Sequence, residues 1–231
     1  MAAGKGTRMQ GILGEHPKGT ISIGKTSIIG HMINVLNDNG VQDILIVGGY
    51  KIEDLRKHIG DNATVIYNPL YDHGDDITSL WVAQHYFRDG AFMYLHGDAV
   101  FPREFVTRLI QDPRERVMLV ERKQCDAEDS KVVIENDRVI RVSKEVDVDE
   151  AYGEFVGIAK LSGAAVKSFV ESLNEVVEKK GINHFDTMVL QHMIDKGEKV
   201  EFLHSDDLPW CDIDFPQDLA HVLDNKELFG L

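Results

Sequence analysis

Short apolar runs alternate with amphipathic stretches along most of the chain, and the spacing within each predicts its element. Residues 27–40, SIIGHMINVLNDNG, bring Ile28, Ile29, Met32, Ile33 and Leu36 onto one helical face and stop at Asn39-Gly40, a helix C-terminal signal. The run DILIVGGY at 43–50 is short, rich in Ile and Val and closed by Gly48-Gly49, which predicts a buried parallel strand. Helices over 52–59, 77–87 and 102–111 and strands over 64–68, 91–98 and 117–122 continue the alternation. Such a succession predicts βαβ units: an α/β, Rossmann-like fold with a mostly parallel sheet and helices on both faces.

The pattern changes at KVVIENDRVIRVSK (131–144), where two alternating runs flank Asn136-Asp137 and predict a small antiparallel hairpin inserted over the sheet. A strand over 153–162, helices over 164–180 and 185–197 and a strand over 200–205 follow. A helix over 216–225, with Pro216 in its first turn, ends the series. No internal repeat, low-complexity tract or linker interrupts it, so residues 1–231 are expected to form one domain.

Composition restricts the chemistry. With 43% hydrophobic residues in 231, the chain can bury one sizeable core. No apolar run approaches the ~18 residues of a membrane span, and the first residues lack the order of a secretory signal. A soluble cytoplasmic protein without membrane insertion is therefore expected. Cys125 and Cys211 lie far apart and outside any CxxC, which argues against a disulfide scaffold and a structural zinc site. Lys plus Arg number 25 against 39 Asp plus Glu, a net charge of −14, so a nucleic-acid partner would be repelled and any phosphate must be held locally.

Two kinds of site signal stand out. The opening MAAGKGTRM holds Gly4 and Gly6, whose backbone freedom lets amides converge on an anion, with Lys5 and Arg8 beside them. It is neither a P-loop nor a complete GxGxxG fingerprint. Further on, Asp98 falls just after an apolar strand, and Asp212 and Asp214 sit two apart, on one face of an extended chain. Carboxylates from two strand ends, at the edge where α/β sheets bind ligands, suit Mg2+, which takes a few hard oxygen ligands and fills the rest with water and phosphate. The residues alone leave a plainer reading open, with Asp98 capping the next helix and Asp212 and Asp214 solvated.

Taken in order, AAGKGTRM (2–9), Pro17-Lys18, GKTSII (24–29), a glycine-ended strand, LHGDAVF (95–101), GEFVGIAKLS (153–162) and WCDIDFPQDL (210–219) resemble the sugar-phosphate nucleotidylyltransferase superfamily. YNPLYDHGDDITSLWVA (67–83) and AYGEFVGIAKLS (151–162) are most similar to the branch of phosphocholine, 2-aminoethylphosphonate and inositol-1-phosphate cytidylyltransferases. The resemblance implies a GT-A-like nucleotidyltransferase fold and transfer of a nucleotidyl group from an NTP, CTP above all, to a small phosphorylated or phosphonylated acceptor, with release of pyrophosphate. It implies Mg2+ on Asp98 and Asp214, with Asp212 as an alternative ligand. Arg8 and Lys18 would meet the triphosphate, and Ala2, Ala3, Gly4 and Gly6 the nucleotide. In that superfamily the glycine loop follows a central strand, and Met1 stands where Leu is common. Residues 1–3 are therefore expected to pair as the stub of a truncated first strand.

On the acceptor side the resemblance implies Asp75, Asp76, Ser79 and Glu154. GDDITSL (74–80) carries Asp75-Asp76 where the family commonly has two asparagines, which would favour a cationic head group, helped by Trp81, Tyr71 or Tyr152. Asp76 as a helix N-cap and Trp81 as core are equally open. The acidic stretch CDAEDS (125–130) reads as a flap over an amine or as a solvated loop, and His96 as a satisfied neighbour of Asp98. The alternatives are a sugar-1-phosphate or inositol-1-phosphate acceptor with CTP, UTP, dTTP or GTP, and a non-catalytic nucleotide-binding regulatory module.

Overall fold

In a computed structural model of the chain, which describes residues 1–9, 11, 14, 16–87 and 90–231, the helix expected after Ser27 forms as α1 (Ile28–Asp38). The Ser27 hydroxyl accepts the Gly30 amide at 3.1 Å and so caps it, while Ile28, Ile29, Met32, Ile33 and Leu36 are all buried. The chain then forms β1 (Leu45–Gly48), α2 (Ile52–Ile59) and β2 (Thr64–Tyr67). β1 and β2 pair in parallel from Leu45↔Thr64 to Gly48↔Tyr67, the βαβ unit that the apolar pattern predicts.

The opening residues pair as expected. Ala2 forms a parallel bridge with Gly48, its amide donating to the Val47 carbonyl at 2.8 Å, and the Tyr50 amide donates to the Ala3 carbonyl at 3.0 Å. Gly97 closes on this stub from the other direction. A Cβ there would lie 2.2 Å from the Met1 carbonyl oxygen, so only glycine allows the approach. These segments belong to the first of two compact units, built from Met1–Asp72, His96–Arg108 and Leu208–Leu231. Its core includes Ile23, Ile28, Leu55, Phe101, Phe105, Ile213 and Phe229.

The second unit comprises His73–Leu95 and Leu109–Asp207. It contains α3 (Ile77–Ala83), β3 (Ala91–Leu95), β5 (Arg116–Glu121), β6 (Lys131–Glu135), β7 (Arg138–Ser143), β8 (Gly153–Ser162), α5 (Ala164–Lys180), α6 (Thr187–Asp195) and β9 (Glu201–His204). Between β3 and β5 lie the short β4 (Ala99–Val100) and α4 (Glu104–Gln111); β10 (Cys211–Asp212) and α7 (Pro216–Asp224) close the chain. The second unit's strands form one sheet in the order β7-β6-β8-β5-β9, with β3 also on β8.

The α/β architecture stands, but the expectation of a mostly parallel sheet is corrected here. In the six-stranded sheet only β5-β9 is parallel, and β3-β8, β5-β8, β6-β8 and β6-β7 are all antiparallel. The physical reason lies at 131–144. Asn136 and Asp137 take φ of 49° and 57°, the left-handed pair of a tight hairpin turn, so β7 must reverse on β6. β8 is reached through that hairpin rather than through a crossover helix, and returns antiparallel. The hairpin is also part of the sheet rather than laid over it, and Val139 bridges Val200 at the far edge. No helix among the described residues is long and apolar enough to cross a membrane.

Candidate functional site

A two-residue ladder builds the site in the first unit. β4 and β10 pair antiparallel, Cys211 against Val100 and Asp212 against Ala99, and the Ile213 amide donates to the Asp98 carbonyl at 3.1 Å. This register sets Asp98, which immediately precedes β4, against the segment between β10 and α7 that carries Asp214. Pro17 holds an extended backbone before the 3-10 turn Lys18–Thr20, and both the amide and the hydroxyl of Thr20 donate to the Pro17 carbonyl, at 3.0 and 2.7 Å. From that turn the Lys18 ammonium reaches both carboxylates, 2.9 Å from Asp98 Oδ2 and 2.5 Å from Asp214 Oδ1.

Arg8 arrives from the glycine loop. Gly6 takes φ of 59°, the Met9 amide turns back to the Gly6 carbonyl at 2.9 Å, and Met9, 1% exposed, anchors the turn. Gly4 has no such positive φ. Arg8 Nη1 donates to Asp214 Oδ2 at 3.1 Å, and its guanidinium lies 5.2 Å from the centre of the exposed Phe215 ring. Arg8, Lys18, Asp98 and Asp214 are thus brought together, two cations against two anions.

The electrostatics follow from this closeness. Burial works against the Lys18 ammonium, but the Asp98 charge and the hydrogen bond to Asp214 outweigh it and hold its pKa above the ordinary lysine value. Burial likewise works against the Asp98 carboxylate, yet Lys18 and then His96 hold its pKa below the usual range. Both groups are therefore charged at neutral pH. Two carboxylates sharing one ammonium are also a hard oxygen pair that could hold a divalent cation. Asp212 stays beside them on β10, in register with Ala99.

Asp218 is a site residue that the pattern reading overlooks. Its Oδ2 accepts both the Asp214 amide at 2.9 Å and the Phe215 amide at 2.6 Å, so one carboxylate oxygen caps α7 and fixes the backbone that carries Asp214. The signal is in WCDIDFPQDL: a proline at the first helical position with an acid two residues on is an N-terminal cap.

The acceptor candidates lie in the second unit. Asp75 and Asp76 are exposed ahead of α3, held by the Asp75 amide on the Ile182 carbonyl at 3.0 Å. The Asp76 side chain makes no capping bond to α3, and Trp81 is 36% exposed with its indole on Asn174, so neither of the plainer roles applies. Ser79 is buried at 3% exposure. Glu154 stands in a cluster of its own, accepting from Lys123 at 2.8 Å, while Lys123 also pairs with Asp129 at 3.1 Å. Burial pushes the Glu154 carboxyl up to about 7 in spite of Lys123.

The stretch 125–130 keeps residues 126–128 exposed while its backbone turns about a buried lysine. Lys131, 1% exposed, donates to the carbonyls of Asp126, Ala127 and Asp129 at 3.1, 3.3 and 3.1 Å, and the Asp129 carboxylate accepts the Asp126 amide at 2.8 Å. The loop is wrapped on a buried cation. Burial also raises the pKa of the Cys125 thiol to about 11, which keeps it protonated and unreactive.

Residues 1–193 match the MobA-like NTP transferase domain. The chain belongs to this family. Among the relatives of this NTP transferase, a CTP:phosphoglutamine cytidylyltransferase from Campylobacter jejuni is 25% identical over 95% of the chain and 96% of its own length. A choline-phosphate cytidylyltransferase from Haemophilus influenzae is also 25% identical, over 98% of the chain and 97% of its own length. The chain spans about half the length of some other relatives that it matches. The inositol-1-phosphate CTP transferase of T. maritima superposes with a TM-score of 0.80 over 99% of this chain and 92% of that one, at 21% identity, which shows a shared fold.

Proposed function

We propose that this NTP transferase moves CMP from CTP to a small phosphorylated or phosphonylated acceptor that carries an amine or quaternary ammonium, and that it works with Mg2+ on Asp98 and Asp214. The observation that carries the reading is the meeting of Lys18 and Arg8 with those two carboxylates. A protein that only binds nucleotides needs cations for the phosphates, but it does not need two carboxylates brought within reach of a single ammonium.

An oxygen of the acceptor's phosphate or phosphonate attacks the α-phosphorus of CTP. A P–O bond forms there as the bond to the bridging oxygen breaks, and pyrophosphate leaves with that electron pair. The protein contributes alignment of two anions and neutralisation of the charge that builds on the α-phosphoryl oxygens. Mg2+ would supply part of that neutralisation. Lys18, held on its turn, and Arg8, steadied on Phe215, direct positive charge at the triphosphate. The backbone at Ala2, Ala3, Gly4 and Gly6 receives the nucleotide where small side chains permit close approach.

The amine preference rests on the exposed Asp75-Asp76 pair and on relatives whose names include choline phosphate and 2-aminoethylphosphonate. The test is pyrophosphate release with each common NTP against phosphocholine, 2-aminoethylphosphonate, phosphoglutamine, inositol-1-phosphate and glucose-1-phosphate. CTP with an amine-bearing acceptor is the expected pair, and Asp98→Asn should lower its turnover by about 10²–10³-fold. Turnover confined to a sugar or inositol phosphate would refute the acceptor reading, and full activity of Asp98→Asn would refute the cation reading.

A further inference from the structure

Lys18 stands where two roles conflict. Its ammonium is a single charge with three donors, and it already satisfies Asp98 Oδ2 and Asp214 Oδ1 at 2.9 and 2.5 Å. The Lys18 side chain is only 13% exposed, against 33% for Asp98 and 41% for Asp214, so the ammonium is the more sheltered end of both contacts. Arg8, by contrast, is half exposed and reaches Asp214 at Oδ2, 3.1 Å away. Lys18 is therefore the principal counter-ion of the two carboxylates.

A divalent cation held by Asp98 and Asp214 would draw on the same two carboxylates. Two positive charges on one carboxylate pair repel each other, so cation entry requires the ammonium to give up those contacts. Alone, that loss opposes binding. A triphosphate changes the balance, because it offers the ammonium a new anionic partner near the carboxylates. By linkage, whatever the nucleotide does for the cation, the cation does for the nucleotide.

Resting on the cation reading above, we propose that Lys18 is a tethered competitor for the divalent cation, and that cation and NTP bind cooperatively because both require this one ammonium to change partners. The consequence is a protein that takes its cation together with the nucleotide and holds it weakly by itself.

The experiment measures Mn2+ binding to the full chain by electron paramagnetic resonance, with and without a CTP analogue bearing a methylene α–β bridge. Wild type should bind Mn2+ weakly alone and about 5–150-fold more tightly with the analogue, the usual range for coupled sites. Lys18→Met should bind Mn2+ more tightly than wild type by a similar factor without nucleotide, and gain little from the analogue. Lys18→Arg keeps the charge and should resemble wild type, which guards against a change in Lys18→Met that reflects damaged folding. Lys18→Met binding Mn2+ no more tightly than wild type, while Asp98→Asn abolishes binding in both backgrounds, would overturn the competition and leave the cation site standing. Mn2+ binding that is absent from every variant, with and without the analogue, would overturn the cation reading and the coupling with it.

Discussion

Asp218→Ala should separate how α7 is held from how the reaction is run. Both amide bonds that Asp218 accepts end on the same oxygen, Oδ2, at 2.9 Å from the Asp214 nitrogen and 2.6 Å from that of Phe215. Removing it takes away a helix cap, which typically costs about 1 kcal/mol, and a carboxylate at a helix N-terminus, which adds about 0.3–1 kcal/mol. At roughly 2–4 °C per kcal/mol for a chain of this size, the melting temperature should fall by about 3–8 °C. The protein would still be folded at 25 °C.

Activity should fall further than that stability loss explains. Asp214 holds Lys18 and Arg8 only as well as its own backbone is placed, and a misplacement near 1 Å can cost about 10²-fold in rate. Steady-state kinetics at 25 °C should show the loss mainly in kcat. The decisive comparison is Asp218→Asn. Because one oxygen accepts both bonds, an amide with a single carbonyl oxygen can replace the carboxylate, and this variant should recover most of the rate. Equal kcat losses in the alanine and asparagine variants would refute the positioning role, as would an alanine variant with the melting loss and undiminished turnover.

Two further outcomes concern the second unit. Lys131→Met removes a buried ammonium from three backbone carbonyls; with each charged hydrogen bond worth about 1.5–3 kcal/mol and part of that returned by the avoided burial of charge, a net loss of about 2–4 kcal/mol is expected. Calorimetry should show it, with faster amide exchange over 125–130, and an unchanged melt would contradict the caged-lysine description. Glu154 titrates near 7 when folded but near 4.5 in an unfolded chain, so the folded form binds the extra proton between those values. Its contribution to stability is full below about 4.5 and is lost as pH rises through about 7; Glu154→Gln should flatten that slope, and an identical pH profile of melting temperature for both proteins would rule it out.

How much of this was legible in the amino-acid order depends on whether a signal is local. α2 and α5 match their expected spans because a continuous 3.6 period with a stop at Gly60 or Gly181 is decided within the element. The turn at Asn136-Asp137 was legible for the same reason. Strand polarity was not: GEFVGIAKLS reads the same whether β8 runs with or against β5, and its direction is decided by the hairpin that precedes it. Nor does an acidic run show what it wraps. CDAEDS gives no hint that Lys131, the residue immediately after it, turns inward beneath it.

The site repeats the contrast in a sharper form. Asp98 could be singled out because it follows a recognisable apolar run, and Asp214 because it sits two residues from Asp212 on one face of extended chain. Lys18 has no such run: Pro17-Lys18 is an ordinary dipeptide, and only its resemblance to a family motif gave it a role. What makes it matter is a backbone bond, the Ile213 amide on the Asp98 carbonyl, which joins segments more than a hundred residues apart and leaves a gap between carboxylates the width of one ammonium. The same contact that makes the lysine hard to find makes it consequential. A cation that bridges two carboxylates cannot also be a passive surface charge, so any exchange of its partners must enter the energetics of every ligand that the two aspartates receive.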